Sequence, residues 1–182
     1  MDIYLVRHGK AATAWGKSSD PGLSKLGQEQ ASATANALLP ELDDEVNLLS
    51  SPLLRAVETA QALSELLSRP VVIDETYREV PARVAPDDRK AWLGEFMAGK
   101  WADQPDYLLQ WRQSLYDGLV NLPASSVIFS HFLAINAVVG QLTDQGETVC
   151  FYPDNASITH LRNTGGRLEL VCLGEQMQTF VN

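Results

Sequence analysis

The sequence predicts an α/β fold with three layers, α/β/α, in which a mostly parallel mixed sheet carries helices on both faces. Three observations predict it. Short apolar runs alternate with amphipathic stretches along the whole chain, the mark of strands and helices in turn. The first run, Ile3–Val6, is apolar throughout, as a strand buried on both faces must be. The last two runs are joined by Asn163-Thr164-Gly165-Gly166, a hairpin signal that sets them antiparallel and makes the sheet mixed.

The elements follow in order. After the strand at Ile3–Val6, Ser24–Leu39 reads as a helix with Ser24 as N-cap, its first turn weakened by Gly27. Val46–Ser50 is the second strand. Ser51 then reads as the cap of a helix with Pro52 at its first position, where the missing N–H of proline costs nothing. That helix runs to about Ser68, with Leu54, Val57, Ala60, Leu63 and Leu67 at helical spacing. Val71–Asp74 is a short third strand. Tyr107–Leu122 reads as a helix, Ser126–Ser130 as a strand, and Phe132–Leu142 as an apolar helix behind it. Ser157–Arg162 and Arg167–Leu173 are the hairpin strands.

The stretch 80–105 is less regular. Pro81, Pro86, Gly94, Gly99 and Pro105 interrupt it, and Trp92, Phe96, Met97 and Trp101 interleave with Arg83, Arg89, Lys90 and Lys100. It reads as a helix-containing insertion over one end of the sheet, a candidate cap. The aromatic residues from Trp92 to Trp111 read as packing, and the basic residues as a solvated face that is also able to attract a second anionic group. With 182 residues, 45% of them hydrophobic and 20% charged, the chain 1–182 reads as one domain. A chain of this length buries about 70% of its unfolded surface and needs no metal or disulfide staple.

The net charge is −9. So acidic a chain is expected to bind neither nucleic acid, which needs basic surface to release counterions, nor an anionic membrane. An anionic substrate then requires a local basic pocket. Cys150 and Cys172 read as two buried thiols in a reducing compartment. The N-terminus carries no basic, apolar leader, and no run approaches the roughly 18 apolar residues of a membrane span. A soluble cytoplasmic protein is expected.

Four features share one position relative to this secondary structure. Arg7-His8-Gly9 follows the first strand, Arg55 lies in the first turn after the second, Glu79 lies just beyond the third, and His131 follows Ser126–Ser130. Ligands of open α/β sheets bind outside the carboxyl ends of the strands, so these residues are candidates for one crevice. Their chemistry suits a phosphoryl group. Two guanidinium groups fork onto phosphate oxygens. A neutral imidazole attacks phosphorus. A carboxylic acid protonates the leaving alkoxide. The helix N-termini after Ser51 and His131 are expected to aim N–H groups at the anion, and Gly9 to let the backbone turn sharply and approach the site. A zinc site on His8 and His131 is not expected, because two arginines repel a dication and no third ligand is apparent. His160, inside a strand, reads as structural.

Leu5-Val6-Arg7-His8-Gly9 resembles the signature of the histidine phosphatase superfamily, the phosphoglycerate-mutase-like enzymes. Ser50-Ser51-Pro52-Leu53-Leu54-Arg55-Ala56-Val57-Glu58-Thr59-Ala60 resembles its second motif. Leu23–Ala31, Val127-Ile128-Phe129-Ser130-His131 and Asn155-Ala156-Ser157-Ile158 resemble further stretches in the family's order. The resemblance implies a phosphoglycerate-mutase-like fold and a role for each residue. His8 is the nucleophile. Arg7 and Arg55 bind the phosphoryl oxygens. His131 completes that pocket and stabilises the transition state. Glu79 is the general acid, then the base for water. No cofactor and no metal are implied.

The chain also departs from the family. Where the family often has Asn, six residues after the nucleophile, stands Ala14, and the hydroxyl of Thr13 is the candidate substrate contact in its place. Phe132 stands where Gly usually follows the second His. The Gly-x-x-x-Glu-Gly stretch of mutase-type members is absent after Glu79, and the chain is shorter than typical mutases. Both points favour a phosphomonoesterase over a mutase. A small phosphorylated metabolite is the expected substrate. A phosphohistidine-protein phosphatase acting on a signalling phosphoprotein, and a non-catalytic phospho-ligand-binding protein, are the alternatives.

Overall fold

Six strands, β1 (Asp2–Arg7), β2 (Asn47–Ser50), β3 (Val71–Ile73), β4 (Ser126–Ser130), β5 (Ile158–Thr164) and β6 (Arg167–Cys172), form one sheet in the computed structural model, which describes residues 1–12 and 20–177. Their spatial order is β3-β2-β4-β1-β5-β6. The first four strands in space run parallel; β5 pairs antiparallel with β1, and β6 antiparallel with β5. The mixed sheet is therefore the predicted one. Between β5 and β6 the turn is Gly165-Gly166 with φ of 63° and 88°. Two successive left-handed residues are what a two-residue hairpin turn needs if it is to follow the twist of its strands.

Each central strand is apolar on both sides because each side has a helical layer to meet. Five helices supply the layers: α1 (Lys25–Leu38), α2 (Leu54–Leu67), α3 (Arg89–Met97), α4 (Asp106–Val120) and α5 (Phe132–Leu142). Tyr4, Val6, Leu48, Val127 and Phe129 pack against Ala35 and Leu38 of α1 and Ala56, Ala60 and Leu63 of α2. The alternate residues Ile3, Leu5 and Ile128 pack on the other side against Leu115 and Leu119 of α4 and the apolar residues of α5. Each fully buried Leu, Ile or Phe in these layers contributes about 1.5–3 kcal/mol. No described helix is long and apolar enough to cross a membrane.

Several local expectations are corrected. Ser24 caps α1 as predicted, accepting from the Gly27 N–H at 3.1 Å. Ser51 does not cap α2. The N-cap is Leu53, with no side-chain cap, and the Asp20 carboxylate takes the Leu54 N–H at 3.0 Å instead. The buried face of α2 is Arg55, Ala56, Thr59, Ala60 and Leu63, whereas Leu54 is exposed. The helix is rotated from its apolar stripe so that Arg55 and Thr59 reach the end of β1. Cys150 is half-buried and Cys172 exposed near the end of edge strand β6, so the two are not both buried thiols.

The 80–105 stretch contains α3 and brings Leu93, Phe96 and Trp101 into the same apolar cluster as α4 and α5. Trp92 stacks on Phe96 at 5.3 Å, Trp101 meets Phe96 edge-on at 5.7 Å, and the Arg112 guanidinium lies 4.4 Å over the Trp101 ring. These aromatics pack, as predicted.

Candidate active site

Parallel pairing of β1 with β4, and of β4 with β2, brings three strand ends to one level: Arg7 is opposite Ser130, and Phe129 opposite Ser50. The pairing runs one residue further, through the bonds His8 N–H to Ser130 O at 3.0 Å and Ser51 N–H to Phe129 O at 2.9 Å. The next residues in the chain therefore meet. The rings of His8 and His131 lie with centroids 5.3 Å apart.

His8 is 4% exposed. Its Nδ1 lies 2.7 Å from the Gly9 carbonyl oxygen, which has no proton to give, so Nδ1 carries the hydrogen. Its Nε2 accepts the Arg55 Nε–H at 3.1 Å. The tautomer is thus set, with a lone pair on Nε2. Burial, then the charge of Arg55, and less strongly that of Arg7, push its protonation down to about 3 against the pull of the Gly9 carbonyl. The ring is neutral at any ordinary pH. Behind it a closed chain of bonds ties α2 to the end of β1: Thr59 Oγ1 donates to the Arg55 carbonyl at 2.6 Å and accepts the Gly9 N–H at 3.0 Å. Gly9 is glycine for space rather than for a left-handed turn, since a Cβ there would lie 2.5 Å from the Gly27 oxygen.

The loop before β5 holds the same segment from the other side. The His8 carbonyl accepts Asn155 Nδ2 at 3.2 Å and the Ala156 N–H at 3.3 Å. Ala156 has φ of 60°, a conformation uncommon outside glycine and asparagine. Arg7 donates to the Pro153 oxygen at 2.8 Å, and its guanidinium lies 5.2 Å over the Phe132 ring. Phe132, the departure noted in the sequence, is therefore a platform for Arg7. Arg55 is 8% exposed, and its Nη1 stands 3.8 Å from the Asp20 carboxylate.

Glu79 is 5% exposed and sits on the N-terminus of α5. Its Oε1 accepts the N–H groups of Val80 at 3.0 Å and Ala134 at 3.2 Å, and its Oε2 that of Leu133 at 3.3 Å. Burial raises its pKa, and outweighs those N–H groups and the charges of Arg55 and Arg7, which lower it. Of the N–H groups expected at the two helix ends, Asp20 takes that of Leu54 and Glu79 those of Leu133 and Ala134.

His131 is fully buried. Its Nε2 lies 2.7 Å from Ser51 Oγ. Burial first, then the neighbouring His8, Arg55 and Arg7, hold its protonation well below the usual histidine range. Among the described residues, two buried polar atoms of this site have no partner: His131 Nδ1 and Arg7 Nε. In a folded protein such atoms are rare and each calls for a ligand or a reason.

The structure thus brings Arg7, His8, Arg55, Glu79 and His131 together. His160 lies elsewhere, bonded to Asp2 at 2.7 Å and stacked on Tyr4. Thr13 falls outside the described residues. Sequence reasoning missed the parts played by Asp20, Ser51 and Thr59. The last two stood inside the quoted second motif, which was their one signal. Among the described residues no group of three or more His, Cys, Asp or Glu is placed to hold a metal ion. The arrangement offers an imidazole lone pair bonded by an arginine, two fixed cations, two buried polar atoms without a partner among the described residues, and a buried carboxyl group.

The model of the histidine phosphatase superfamily (branch 1) matches residues 3–176. No curated protein matches the chain at a significant level. One similar solved structure is the mycobacterial glucosyl-3-phosphoglycerate phosphatase complexed with VO3, with 24% identity and a TM-score of 0.67, covering 93% of this chain and 96% of that one. Another is phosphoserine phosphatase from Entamoeba histolytica in complex with 3-phosphoglyceric acid, with 22% identity and a TM-score of 0.74, covering 96% and 97%. At these identities the likeness is one of fold.

Proposed function

The chain belongs to the histidine phosphatase superfamily, with its phosphoglycerate-mutase-like fold, and from that premise we propose that it is a phosphomonoesterase working through a phosphohistidine on His8, without a metal. The observation that carries this reading is the Nε2 lone pair of a neutral, buried His8 held between Arg55 and Arg7.

In the first step Nε2 of His8 attacks phosphorus. The P–Nε2 bond forms as the P–O bond to the leaving group breaks, and Glu79 gives its proton to the departing oxygen. Arg7, Arg55 and His131 hold the phosphoryl oxygens, which carry the charge in a loose transition state. One such preorganised donor is worth roughly 2.7–4 kcal/mol. In the second step water attacks phosphorus, Glu79 takes its proton, and the bond to Nε2 breaks. The two arginines supply the charge neutralisation that a metal would otherwise give.

A small phosphorylated metabolite is the proposed substrate. The similar structures are named for glucosyl-3-phosphoglycerate and for phosphoserine, which supports that class over a phosphoprotein. We read 1–182 as one domain with 80–105 as a cap insertion. The apolar cluster that Leu93, Phe96 and Trp101 share with α4 and α5 supports the first point.

The test is hydrolysis of p-nitrophenyl phosphate in EDTA by the wild type and by His8→Ala. Activity that survives EDTA and vanishes in the variant, with loss of acid-labile phosphate labelling, is the expected result. Undiminished turnover, or labelling elsewhere in His8→Ala, overturns the assignment. A folded wild type that binds phosphate and turns over no ester is a binding protein.

A further inference from the structure

We propose that Ser51 is a positioning residue that holds His131 as the tautomer with hydrogen on Nδ1, so that this N–H faces the transferring phosphoryl group. The proposal rests on the phosphoryl-transfer reading of the site and goes beyond it. It assigns a function to a serine whose helix-capping role the structure removes.

The argument is one of hydrogen-bond satisfaction. Ser51 is fully buried, and its hydroxyl oxygen accepts the Leu53 N–H at 3.3 Å. Its own hydrogen needs an acceptor, and among the described residues its remaining partner is His131 Nε2 at 2.7 Å. If Nε2 carried the ring hydrogen, it would donate to Ser51 Oγ, and the hydroxyl hydrogen would be stranded in the interior. If Ser51 donates to Nε2, every group in this pair is satisfied except His131 Nδ1–H.

That remaining N–H is the informative one. His131 Nδ1 is buried and without a partner among the described residues, and its ring stands 5.3 Å from that of His8. A neutral imidazole offers one hydrogen. Placed on Nδ1 it meets a phosphoryl oxygen as a donor; placed on Nε2 it leaves a lone pair facing a dianion. Burial and the neighbouring cations keep the ring neutral, so the choice of tautomer decides between attraction and repulsion. Arg55 and the Gly9 carbonyl fix the opposite arrangement on His8, with the lone pair on Nε2 for attack. The second motif thus sets both histidines, through Arg55 for one and Ser51 for the other.

Nitrogen-15 NMR of histidine-labelled protein tests this directly. The chain has three histidines, so His160→Gln leaves two rings, with four ring nitrogens, to assign. The wild type is expected to show His131 protonated at Nδ1 and bare at Nε2 across neutral pH. A wild-type His131 protonated at Nε2 overturns the proposal without any Ser51 variant. Ser51→Ala is expected to shift the tautomer population and to lower kcat/KM for p-nitrophenyl phosphate roughly ten- to a hundredfold. Ser51→Thr, which keeps the hydroxyl, is expected to restore the tautomer and most of the rate. An unchanged tautomer in folded Ser51→Ala, or equal losses in the two variants, overturns it. Absence of turnover in the wild type overturns the phosphatase reading and the catalytic half of this proposal, while the tautomer result stands separately.

Discussion

Arg55 donates its Nε–H to Nε2 of His8 at 3.1 Å, onto the lone pair that the proposed mechanism directs at phosphorus. On that proposal the group that masks the nucleophile is the same cation that binds the phosphoryl oxygens. The proposed mechanism then has the guanidinium exchange one acceptor for another as a phosphoryl group arrives, releasing the imidazole with hydrogen already on Nδ1. Asp20, 3.8 Å from the guanidinium and bonded to the first N–H of α2, holds Arg55 at the place where this exchange occurs.

Replacement of Arg55 should accordingly remove both the phosphate contact and the tautomer lock. Arg55→Ala is expected to cost about 2.7–4 kcal/mol of transition-state stabilisation, a loss of 10²–10³ in kcat/KM. Arg55→Lys should recover little of it, because a point charge on a flexible stem neither forks onto two oxygens nor presents Nε–H to the ring. Steady-state kinetics on p-nitrophenyl phosphate decide. An unchanged kcat/KM in either variant would place Arg55 outside the transition state.

Glu79 carries a second prediction. In Glu79→Gln the amide oxygen still accepts an N–H of α5, so the helix end keeps a partner, but no acid proton remains. General acid catalysis is typically worth 10²–10⁴-fold. The loss in kcat/KM should approach that range for alkyl phosphates, whose alkoxides need a proton to leave, and be far smaller for aryl phosphates. Because kcat/KM reports the transfer to His8 alone, the later hydrolysis does not obscure the comparison. The alkaline limb of the wild-type profile, where the raised carboxyl group finally ionises, should vanish in the variant. Equal losses on both ester classes remove Glu79 from the acid role.

What the sequence made legible, and what it did not, divides along physical lines. Arg7, His8 and His131 were legible because each lies at or just past the end of an apolar strand, and parallel pairing forces such ends together. Glu79 was legible as a carboxylate near the site, but not as the partner of the Leu133 and Ala134 N–H groups, since its partners lie more than fifty residues away. Ser51 before Pro52 carries a capping signal, and a local rule cannot see that a histidine eighty residues distant claims its hydroxyl. The rotation of α2 was hidden for the same reason. Apolar spacing predicts which face is buried for packing, whereas Arg55 and Thr59 are buried to hold the end of β1.

The two buried histidines make acid stability a third prediction. His8 has a folded pKa of about 3, below its unfolded value near 6.5, and His131 is shifted in the same direction. Between those values the unfolded chain binds protons that the folded chain refuses, so stability falls as pH falls. The loss begins near pH 6.5 and continues toward pH 3, at up to about 1.4 kcal/mol per pH unit for each histidine. Glu79 acts with the opposite sign: its raised folded pKa removes stability as pH rises above its unfolded value. Urea unfolding of the wild type at pH 7.5, 6 and 5, compared with His8→Asn, measures the His8 share. The variant should show a shallower slope over that range, and an identical slope would mean that His8 accepts a proton in the folded state.

Gly27 sets helix propensity against packing. In the second position beyond the start of α1, a change to alanine is worth up to about 1 kcal/mol in favour of the helix on propensity alone. Here the added Cβ would lie 2.2 Å from the Lys10 oxygen and 2.9 Å from the Lys10 nitrogen, and both are backbone atoms with no rotamer to escape into. The Lys10 oxygen is also the acceptor for the Ser24 N–H and hydroxyl, so moving it breaks the cap as well. Lys10 follows Gly9, whose carbonyl holds Nδ1 of His8, and displacement there loosens the His8 ring. Gly27→Ala should therefore destabilise by about 1–3 kcal/mol and lower kcat/KM. Gly94, inside α3 with nothing within 4 Å of its added Cβ, is the matched control, and Gly94→Ala should stabilise by up to about 1 kcal/mol. Urea denaturation of both variants reads the contrast. A Gly27→Ala protein as stable as Gly94→Ala would mean that β1 and α1 do not approach this closely, and that the Arg7-His8-Gly9 segment is held by α2 and the loop before β5 alone.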